Sequence, residues 1–310
     1  MATTSKNKIP QATPGDLLVI GSMNMDLSIK TRRMPRLGET LLGGTFNQNA
    51  GGKGANQAIA AHILFPKVSL CAGIGKDSMG DEYMKYLKEL GIDTSLIKVF
   101  DNAHTGVAII TVVKEGENII TVAPGANLML SPADLKNVDF KKYTHVAFQL
   151  ENTLETVSAG LNMAKSCNCT TILKASPACL LPDEILNNID IIVANEIEIM
   201  QIMRGFTDMK KAAAALLDKG IKNVIITLGA RGCLLISEKI EKRYPAHSVR
   251  PIDTVGAGDC FTGSFMAGLK IYGDIDMAIK MANAAAALSV TKNGAQSFAS
   301  LDNVLKKMKG

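Results

Sequence analysis

Residues 253–263 read Asp253-Thr-Val-Gly-Ala-Gly-Asp259-Cys-Phe-Thr-Gly263, a glycine-spaced turn that runs directly into an apolar helical pattern. Such a turn leaves backbone N–H groups unpaired at the start of the helix, and these groups favour an anion such as a phosphate. Asp259 stands at the mouth of the turn, where its charge would repel a phosphate. A carboxylate there can instead take a proton from a substrate hydroxyl that attacks phosphorus. The segment therefore indicates phosphoryl transfer to an alcohol.

Short apolar runs, each typical of a buried strand, alternate with helical patterns along most of the chain. The runs lie at 17–21, 68–72, 146–150, 171–173, 189–193 and 224–228, and the helical patterns lie at 55–64, 80–90, 154–164, 196–203 and 209–219. This alternation predicts an α/β fold whose parallel sheet is covered on both faces. Two extended segments, 25–47 and 105–123, lack helices and predict a small separate sheet. Its apolar face requires a ligand or another subunit.

The 310 residues are 47% hydrophobic and 20% charged, with a net charge of +5, a composition that supports a sizeable globular core. The basic residues are scattered, which favours solvated surface charge over a nucleic-acid-binding stripe. Residues 1–15 are polar and lack the apolar core of a signal peptide, and no stretch is long enough to span a membrane. We expect a disordered tail over 1–15 and a single α/β domain over 16–310. Six scattered cysteines favour reduced thiols in the cytosol.

A second glycine cluster, Asn49-Ala-Gly-Gly-Lys-Gly-Ala-Asn56, opens the first predicted helix. It is not a P-loop, because Asn47 stands where that motif requires its first glycine and Gly54 replaces the Ser or Thr after Lys53. We therefore expect the nucleotide phosphates elsewhere. The glycines allow a polyhydroxy ligand to approach the backbone, and Asn56 can donate to and accept from adjacent hydroxyls. A sugar site is favoured over a tight turn that only begins a helix.

Polar residues follow several predicted strands, at the edge where open α/β sheets bind their ligands. Asn24 and Asp26 come after the first strand, and they could bind sugar hydroxyls or form an Asx turn. Glu151 follows the run at 146–150, where it could bind the same ligand or cap a helix.

Two later segments also allow two interpretations. Asn195 and Glu198 fit a capping box, and they equally fit a site beside hydrated magnesium and nucleotide phosphates. Residues 227–232 end a strand in a glycine turn, which suits either a hairpin or the phosphates and ribose of a nucleotide. The residues alone do not separate these alternatives.

Together, these motifs resemble those of the ribokinase family, the phosphofructokinase-B group of carbohydrate kinases. The resemblance runs from about Leu17 to Leu305 with the motifs in the family's order. Residues 51–56 are similar to its N-terminal signature and residues 253–263 to its C-terminal signature. The resemblance implies a three-layer α/β/α sandwich with a mostly parallel central sheet. It also implies a small β-sheet lid, formed mainly by about 25–47 and 105–123, that covers the sugar and makes a homodimer contact.

The resemblance implies an ATP-dependent, magnesium-requiring, cytoplasmic kinase that phosphorylates D-ribose at O5, with no nucleic-acid or membrane partner. The segments 24–26, 51–56 and 149–151 are most similar to family members that act on ribose. Another sugar, 2-deoxyribose or a ketohexose, stays open, because loss of one hydroxyl removes a hydrogen-bond partner without creating a clash. A non-catalytic sugar- or nucleotide-sensing protein is the alternative of another class, and it predicts loss of the base or of the anion-binding turn.

The resemblance also implies individual roles. Asp259 would be the general base, and the N–H groups of Gly256, Ala257 and Gly258 would form the anion hole. The sugar would be bound by Asn24, Asp26, Gly52, Lys53, Gly54, Asn56, Glu151 and Asp259. ATP would contact Asn195, Thr227, Gly229, Ala230, Gly232, Gly258 and Asn283. Glu198 would act on magnesium through water, and a monovalent cation, usually potassium, would lie near Asp253, Val255, Ser289, Lys292 and Gly294.

Two departures from the family pattern stand near these positions. Phe298 replaces a Ser that often faces the monovalent cation, with Ser297 one residue earlier. Lys174-Ala175-Ser-Pro177 stands where an Asn-Pro-Ala-Pro run is common, beside the corridor between the sugar and ATP. Neither departure touches the predicted base or the anion hole.

Overall fold

The computed structural model describes residues 15–113 and 118–309. Its strands are β1 (Asp16–Ile20), β2 (Asn24–Thr31), β3 (Thr45–Gly51), β4 (Val68–Gly75), β5 (Ile97–Phe100), β6 (Gly106–Val113), β7 (Asn118–Ala123), β8 (Tyr143–Phe148), β9 (Thr170–Lys174), β10 (Ile191–Asn195), β11 (Asn223–Thr227), β12 (Cys233–Ser237) and β13 (Glu241–Tyr244). Its helices are α1 (Lys53–Leu64), α2 (Ser78–Glu89), α3 (Pro132–Leu135), α4 (Leu154–Ser166), α5 (Asp183–Leu186), α6 (Glu196–Gln201), α7 (Met209–Asp218), α8 (Ala257–Tyr272), α9 (Ile275–Ser289) and α10 (Leu301–Lys309). The predicted tail lies, apart from Gly15, outside the described residues.

A nine-stranded sheet forms the centre, in the order β13-β12-β11-β10-β9-β8-β1-β4-β5. The strands from β11 to β5 pair in parallel, as the alternation of strands and helices predicts. The last two strands, β12 and β13, are antiparallel. Because Thr227 pairs with Cys233, the glycine turn at 227–232 is a hairpin connection, one of the two interpretations left open above.

Helices cover both faces of this sheet, because its central strands are apolar on both sides. In β1, Leu17 and Val19 belong to one core together with side chains of α1, α8 and α9. Leu18 and Ile20 belong to a second core with side chains of α4 and α7. The predicted three-layer α/β/α sandwich is therefore confirmed.

The small sheet has the order β3-β2-β6-β7, and β2 pairs in parallel with β6. It is attached to the carboxyl edge of the central sheet, because β2 follows β1 directly and β3 leads into α1. The exposed side chains on one of its faces include Phe46, Ile109 and Ile119. The predicted small sheet is confirmed, with β3 extending to Gly51 and residues 32–44 forming no strand.

Within residues 15–113 and 118–309, no helix combines the length and apolar character that crossing a membrane requires.

Candidate active site

A cleft opens at the carboxyl edge of the central sheet, where β9, β10 and β11 end and where α1 and α8 begin. Its cavity has a volume of about 480 Å³. It is lined by Lys53, Lys174, Ser176, Asn195, Glu196, Ile197, Glu198, Thr227, Leu228, Gly229, Gly256, Gly258 and Asp259. The two glycine clusters of the sequence are thus brought to one cleft from opposite ends of the chain.

The start of α8 forms the anion-binding end of the cleft. Gly256 precedes the helix in the left-handed conformation, with φ of 75°, and no described side chain caps the helix. The helix dipole and the N–H groups of the first turn therefore face the cavity. Ala257 N–H donates to the Thr254 carbonyl at 3.3 Å, and it would exchange this long bond for a phosphoryl oxygen. Gly258 lies one residue further along and lines the cavity.

The carboxylate of Asp259 is buried beside this helix start. Asn56 Nδ2 donates to its Oδ2 at 3.1 Å, and Gln57 Nε2 donates to its Oδ1 at 3.0 Å. Burial raises the pKa of Asp259, and this effect is opposed first by the charge of Lys53 and then by the two amide hydrogen bonds. Each carboxylate oxygen accepts one bond and keeps a lone pair. Asp259 can therefore accept a proton from a hydroxyl in the cleft.

Gln57 is a site residue that the sequence did not single out. Gln149 Nε2 donates to Gln57 Oε1 at 2.7 Å, so the NH₂ group of Gln57 must face Asp259. This buried chain of two amides fixes the orientation of the Asp259 carboxylate. The sequence did contain a signal for this role. Gln57 stands in the alanine-rich start of α1, and a buried amide in such an apolar setting needs a hydrogen-bond partner.

The end of the cleft at Lys53 is called the sugar end here, because the residues predicted to bind the sugar lie near it. Of these residues, Lys53 and Asp259 line the cavity, and Glu151 and Asn56 contact them, whereas Asn24, Asp26, Gly52 and Gly54 are not among the lining residues. Lys53 Nζ lies 3.1 Å from Glu151 Oε1, and Ser22 Oγ donates to the same carboxylate. Asn127 Nδ2 donates to Asn24 Oδ1 at 2.7 Å and fixes the orientation of that amide. Asn127 and Ser22 were missed, since they only position other residues, Asn24 and Glu151.

Asp26 is the second buried carboxylate at this end. Burial, and then the charge of Glu151, raise its pKa to about 7. It is packed against Gly51, where a Cβ atom would lie 2.2 Å from its Oδ2. Near neutral pH, Asp26 therefore exists in both protonation states and can either donate to or accept from a hydroxyl.

Gly52 and Gly54 allow α1 to approach the end of β1. Gly52 has a φ of 88°, and a Cβ atom there would lie 2.6 Å from the backbone nitrogen of Asn24. A Cβ atom at Gly54 would lie 2.5 Å from the backbone of Gly21. Both positions require glycine for packing, which brings Lys53 to the cavity and Asn56 to Asp259.

At the opposite end, Asn195 and Glu198 form the capping box of α6 and also line the cavity. Glu198 Oε2 accepts from the N–H of Asn195 at 2.7 Å and from the ammonium group of Lys174. The two interpretations of this segment are therefore compatible. No group of three or more acidic, His or Cys side chains that could hold a metal occurs among the described residues. The donors present suit a magnesium ion that arrives with phosphates and keeps its waters.

The predicted ATP contacts divide into two sets. Thr227 and Gly229 line the cavity, whereas Ala230, Gly232 and Asn283 do not. A Cβ atom at Gly232 would lie 2.0 Å from the Tyr244 carbonyl oxygen, and Asn283 Nδ2 donates to the Pro245 carbonyl at 3.5 Å. Gly232 and Asn283 thus adjoin the segment after β13, and their contact with ATP stays a prediction.

Four of the positions predicted for a monovalent cation lie on two loops that Asp253 connects, and the fifth, Ser289, is the last residue of α9. Asp253 Oδ1 accepts from the N–H of Val255 at 3.0 Å, and its Oδ2 accepts from the N–H of Gly294 at 2.9 Å. Ser289 Oγ donates to the Ala286 carbonyl at 2.9 Å, and Lys292 is exposed. The second loop reaches the anion-binding turn, because the Ala295 carbonyl oxygen lies 2.3 Å from where a Cβ atom would stand on Gly256.

The departure at Phe298 leaves a hydroxyl on the second of these loops. Phe298 packs against the hydrophobic core, whereas Ser297 Oγ donates to the Asn293 carbonyl. The Ser297 hydroxyl lies 3.8 Å from the position of a Cβ atom on Gly294. The hydroxyl of this loop is therefore shifted by one residue.

Comparison with known proteins gives matches over most of the chain. Residues 15–302 match the family described as pfkB family carbohydrate kinase. A ribokinase from Haemophilus influenzae is 39% identical over 288 residues, which cover 91% of this chain and 94% of that protein. A deoxyribokinase from Salmonella typhi is 38% identical over 290 residues, with the same coverages of 91% and 94%. The solved structure of Arabidopsis thaliana ribokinase complexed with ribose and ATP is 28% identical, with a TM-score of 0.86 and coverage of 96% of this chain and 100% of that one.

Proposed function

This chain belongs to the pfkB family of carbohydrate kinases, and from that premise we propose that it phosphorylates D-ribose at O5 with ATP. The observation that carries the proposal is the position of Asp259. Its buried carboxylate lines the cavity together with Lys53, which we assign to the sugar, and with Gly256 and Gly258 at the start of α8. An alcohol and a phosphoryl group can therefore meet at one base.

The reaction follows from this arrangement. The O5 hydroxyl of ribose gives its proton to the free lone pair of an Asp259 oxygen as O5 attacks the γ-phosphorus. The bond from that phosphorus to the β,γ-bridging oxygen breaks, and ADP leaves. The N–H groups at 256–258 and the dipole of α8 offset the charge that develops on the equatorial phosphate oxygens. Magnesium, when bound with ATP, neutralises part of the phosphate charge, and Glu198 would hold one of its waters.

Several side chains would bind the sugar. Asn24, Lys53, Asn56 and Glu151 offer donors and acceptors that are already oriented by protein hydrogen bonds, and Asp26 adds a carboxylate packed against Gly51. Such preorganisation lowers the entropy lost when the sugar binds. Closure of the small sheet over this end would exclude water and so limit hydrolysis of ATP.

We expect ribose to be a better substrate than 2-deoxyribose by about 10- to 100-fold in kcat/KM, because a missing hydroxyl leaves a buried polar partner unpaired. Steady-state rates with ATP and magnesium, measured for ribose, 2-deoxyribose and fructose, test this expectation. Both ribokinase and deoxyribokinase relatives are similar to this chain, so the comparison of the two pentoses decides the assignment. Turnover of 2-deoxyribose or fructose without turnover of ribose would refute it.

The alternative of a non-catalytic sensor requires that the base or the anion-binding turn be lost. Both are present here, with Asp259 held by two amide donors. A protein that binds ribose and ATP but yields no ADP beyond background in the same assays would support that alternative.

We also propose that potassium activates the enzyme from the two loops joined by Asp253, with the Ser297 hydroxyl in place of a serine at position 298. Support comes from the hydrogen bonds of Asp253 to both loops. Exchange of potassium chloride for tetramethylammonium chloride at equal ionic strength should lower kcat severalfold. Equal rates in the two salts would exclude the proposal.

A homodimer through the small sheet is proposed from its row of exposed apolar side chains, which includes Phe46, Ile109 and Ile119. Sedimentation velocity of this protein and of a Phe46→Asp variant tests the homodimer, since a monomeric wild type would rule it out.

A cytoplasmic location is proposed because the six cysteines are free and ATP is the phosphoryl donor. Recovery outside the cytoplasm in cell fractionation would contradict it.

A further inference from the structure

Lys174 places a buried positive charge in the floor of the cleft. It is the last residue of β9, so its side chain extends from the carboxyl edge of the sheet. Only 6% of the side chain is exposed, and its ammonium group forms an ion pair with Glu198, whose side chain is 13% exposed. Removing an ammonium group from water costs several kcal/mol. A single carboxylate partner at the wall of a cavity offsets only part of that cost.

The position of Lys174 relates it to the reacting groups. Its Cε lies 3.6 Å from where a Cβ atom would stand on Gly258, so the side chain passes beside the start of α8. It lines the same cavity as Gly256, Gly258 and Asp259. Its charge also helps to lower the pKa of Asp259 against the effect of burial. The ammonium group is therefore next to the region where the transferred phosphoryl group must pass.

Two basic side chains line the cavity within the described part of the chain, Lys53 and Lys174. Lys53 is engaged with Glu151 at the sugar end. At the phosphate end, the positive groups are thus the helix start and Lys174.

We propose that Lys174 is a catalytic residue that binds an oxygen of the phosphoryl group under transfer. The inference rests on the proposed kinase function. When the triphosphate enters, the ammonium group exchanges Glu198 for a phosphate oxygen, and the Glu198 carboxylate becomes available to the waters of magnesium. The lysine then offsets negative charge as O5 bonds to phosphorus and ADP departs. No proton leaves Lys174 in this step.

The test compares nucleotides with and without a γ-phosphate in the complete protein. Calorimetric Kd values are measured with magnesium for ADP and for the non-hydrolysable ATP analogue AMP-PCP. For Lys174→Met, we expect AMP-PCP affinity to fall at least about tenfold and kcat to fall about 100-fold, with ADP affinity changed less than about threefold. Equal losses for the two nucleotides, or no loss for either, would overturn the proposal.

Controls separate this role from a structural one. Lys165→Met removes a partly buried ion pair with Asp190, 2.8 Å long and remote from the cleft, and should change neither Kd value. The double variant Lys174→Met/Glu198→Gln removes the unpaired carboxylate that the single variant leaves behind. It should still discriminate against AMP-PCP if Lys174 binds the phosphate, whereas recovery of AMP-PCP affinity would assign the defect to Glu198. If Lys174→Met does not fold, Lys174→Asn carries the same comparison.

The experiment also distinguishes this inference from the proposed function, because neither Kd value requires a sugar. A selective loss of AMP-PCP affinity in a protein that does not phosphorylate ribose would retain the phosphate-binding role and reject the sugar assignment. Ribose turnover with unaltered AMP-PCP affinity in the variant would retain the sugar assignment and reject the phosphate-binding role.

Discussion

Replacement of Asp259 by Asn is expected to lower kcat by about 10²- to 10⁴-fold while ATP affinity stays within about threefold, because the change removes a general base and no phosphate contact. Asn56 and Gln57 donate to the two carboxylate oxygens, and Gln149 prevents Gln57 from turning its amide around. The new NH₂ group therefore faces a donor. Single-turnover phosphorylation and calorimetric ATP binding provide the two measurements.

The pH dependence supplies an independent readout for the same residue. The base must be ionised to act, and burial raises the pKa of Asp259, so kcat/KM of the wild type should rise with pH along an acidic limb. The residual activity of Asp259→Asn should lack that limb. Asp259→Glu, which keeps a carboxylate but displaces it, should recover part of kcat together with the limb. An Asn variant with more than about a tenth of wild-type kcat would mean that another group accepts the proton.

The fold could be predicted from local patterns, because the residues of each strand and helix carry the signal for that element. The run at 17–21 supplies most of β1, because its apolar side chains pack against helices on both faces of the sheet. The turn at 253–259 predicted the start of α8 because glycine spacing and the apolar pattern are both local signals. Hence the glycine turn at the start of α8 could also be predicted from the sequence, and its role in binding an anion stays a prediction.

The partners of the base were not accessible in this way. Gln57 meets Asp259 across 202 positions of sequence, and Gln149 meets Gln57 across 92. Such pairs depend on how helices pack, and no local spacing encodes them. For Asn195 and Glu198, the sequence allowed either a helix cap or a ligand site. The two residues cap α6 and also line the cavity, so the two interpretations do not exclude each other. The ion pair between Lys174 and Glu198 likewise could not be predicted from local spacing.

Gly256 connects the anion-binding turn to the loop of residues 293–297. Its φ of 75° is a left-handed conformation, and a Cβ atom there would lie 2.3 Å from the Ala295 carbonyl oxygen. The next residue, Gln296, donates to Asn56 Oδ1 at 2.9 Å, and Asn56 in turn donates to Asp259. A displacement at Ala295 therefore reaches the base through two hydrogen bonds as well as the anion hole directly.

We accordingly expect Gly256→Ala to lower kcat about 100-fold or more, because a misplacement near 1 Å at reacting groups has that effect. The free energy of unfolding should fall by about 2–4 kcal/mol, from backbone strain and the clash together. Gly273→Ala is the matched control at the other end of α8. Its φ is 61°, and a Cβ atom there meets nothing within 4 Å. It should cost only the strain, about 1–2 kcal/mol, and leave kcat within about twofold. Steady-state kinetics and urea denaturation of both variants make the comparison. Equal kcat values for the two variants would show that the contact between Gly256 and Ala295 does not shape the anion hole, since strain alone is common to both.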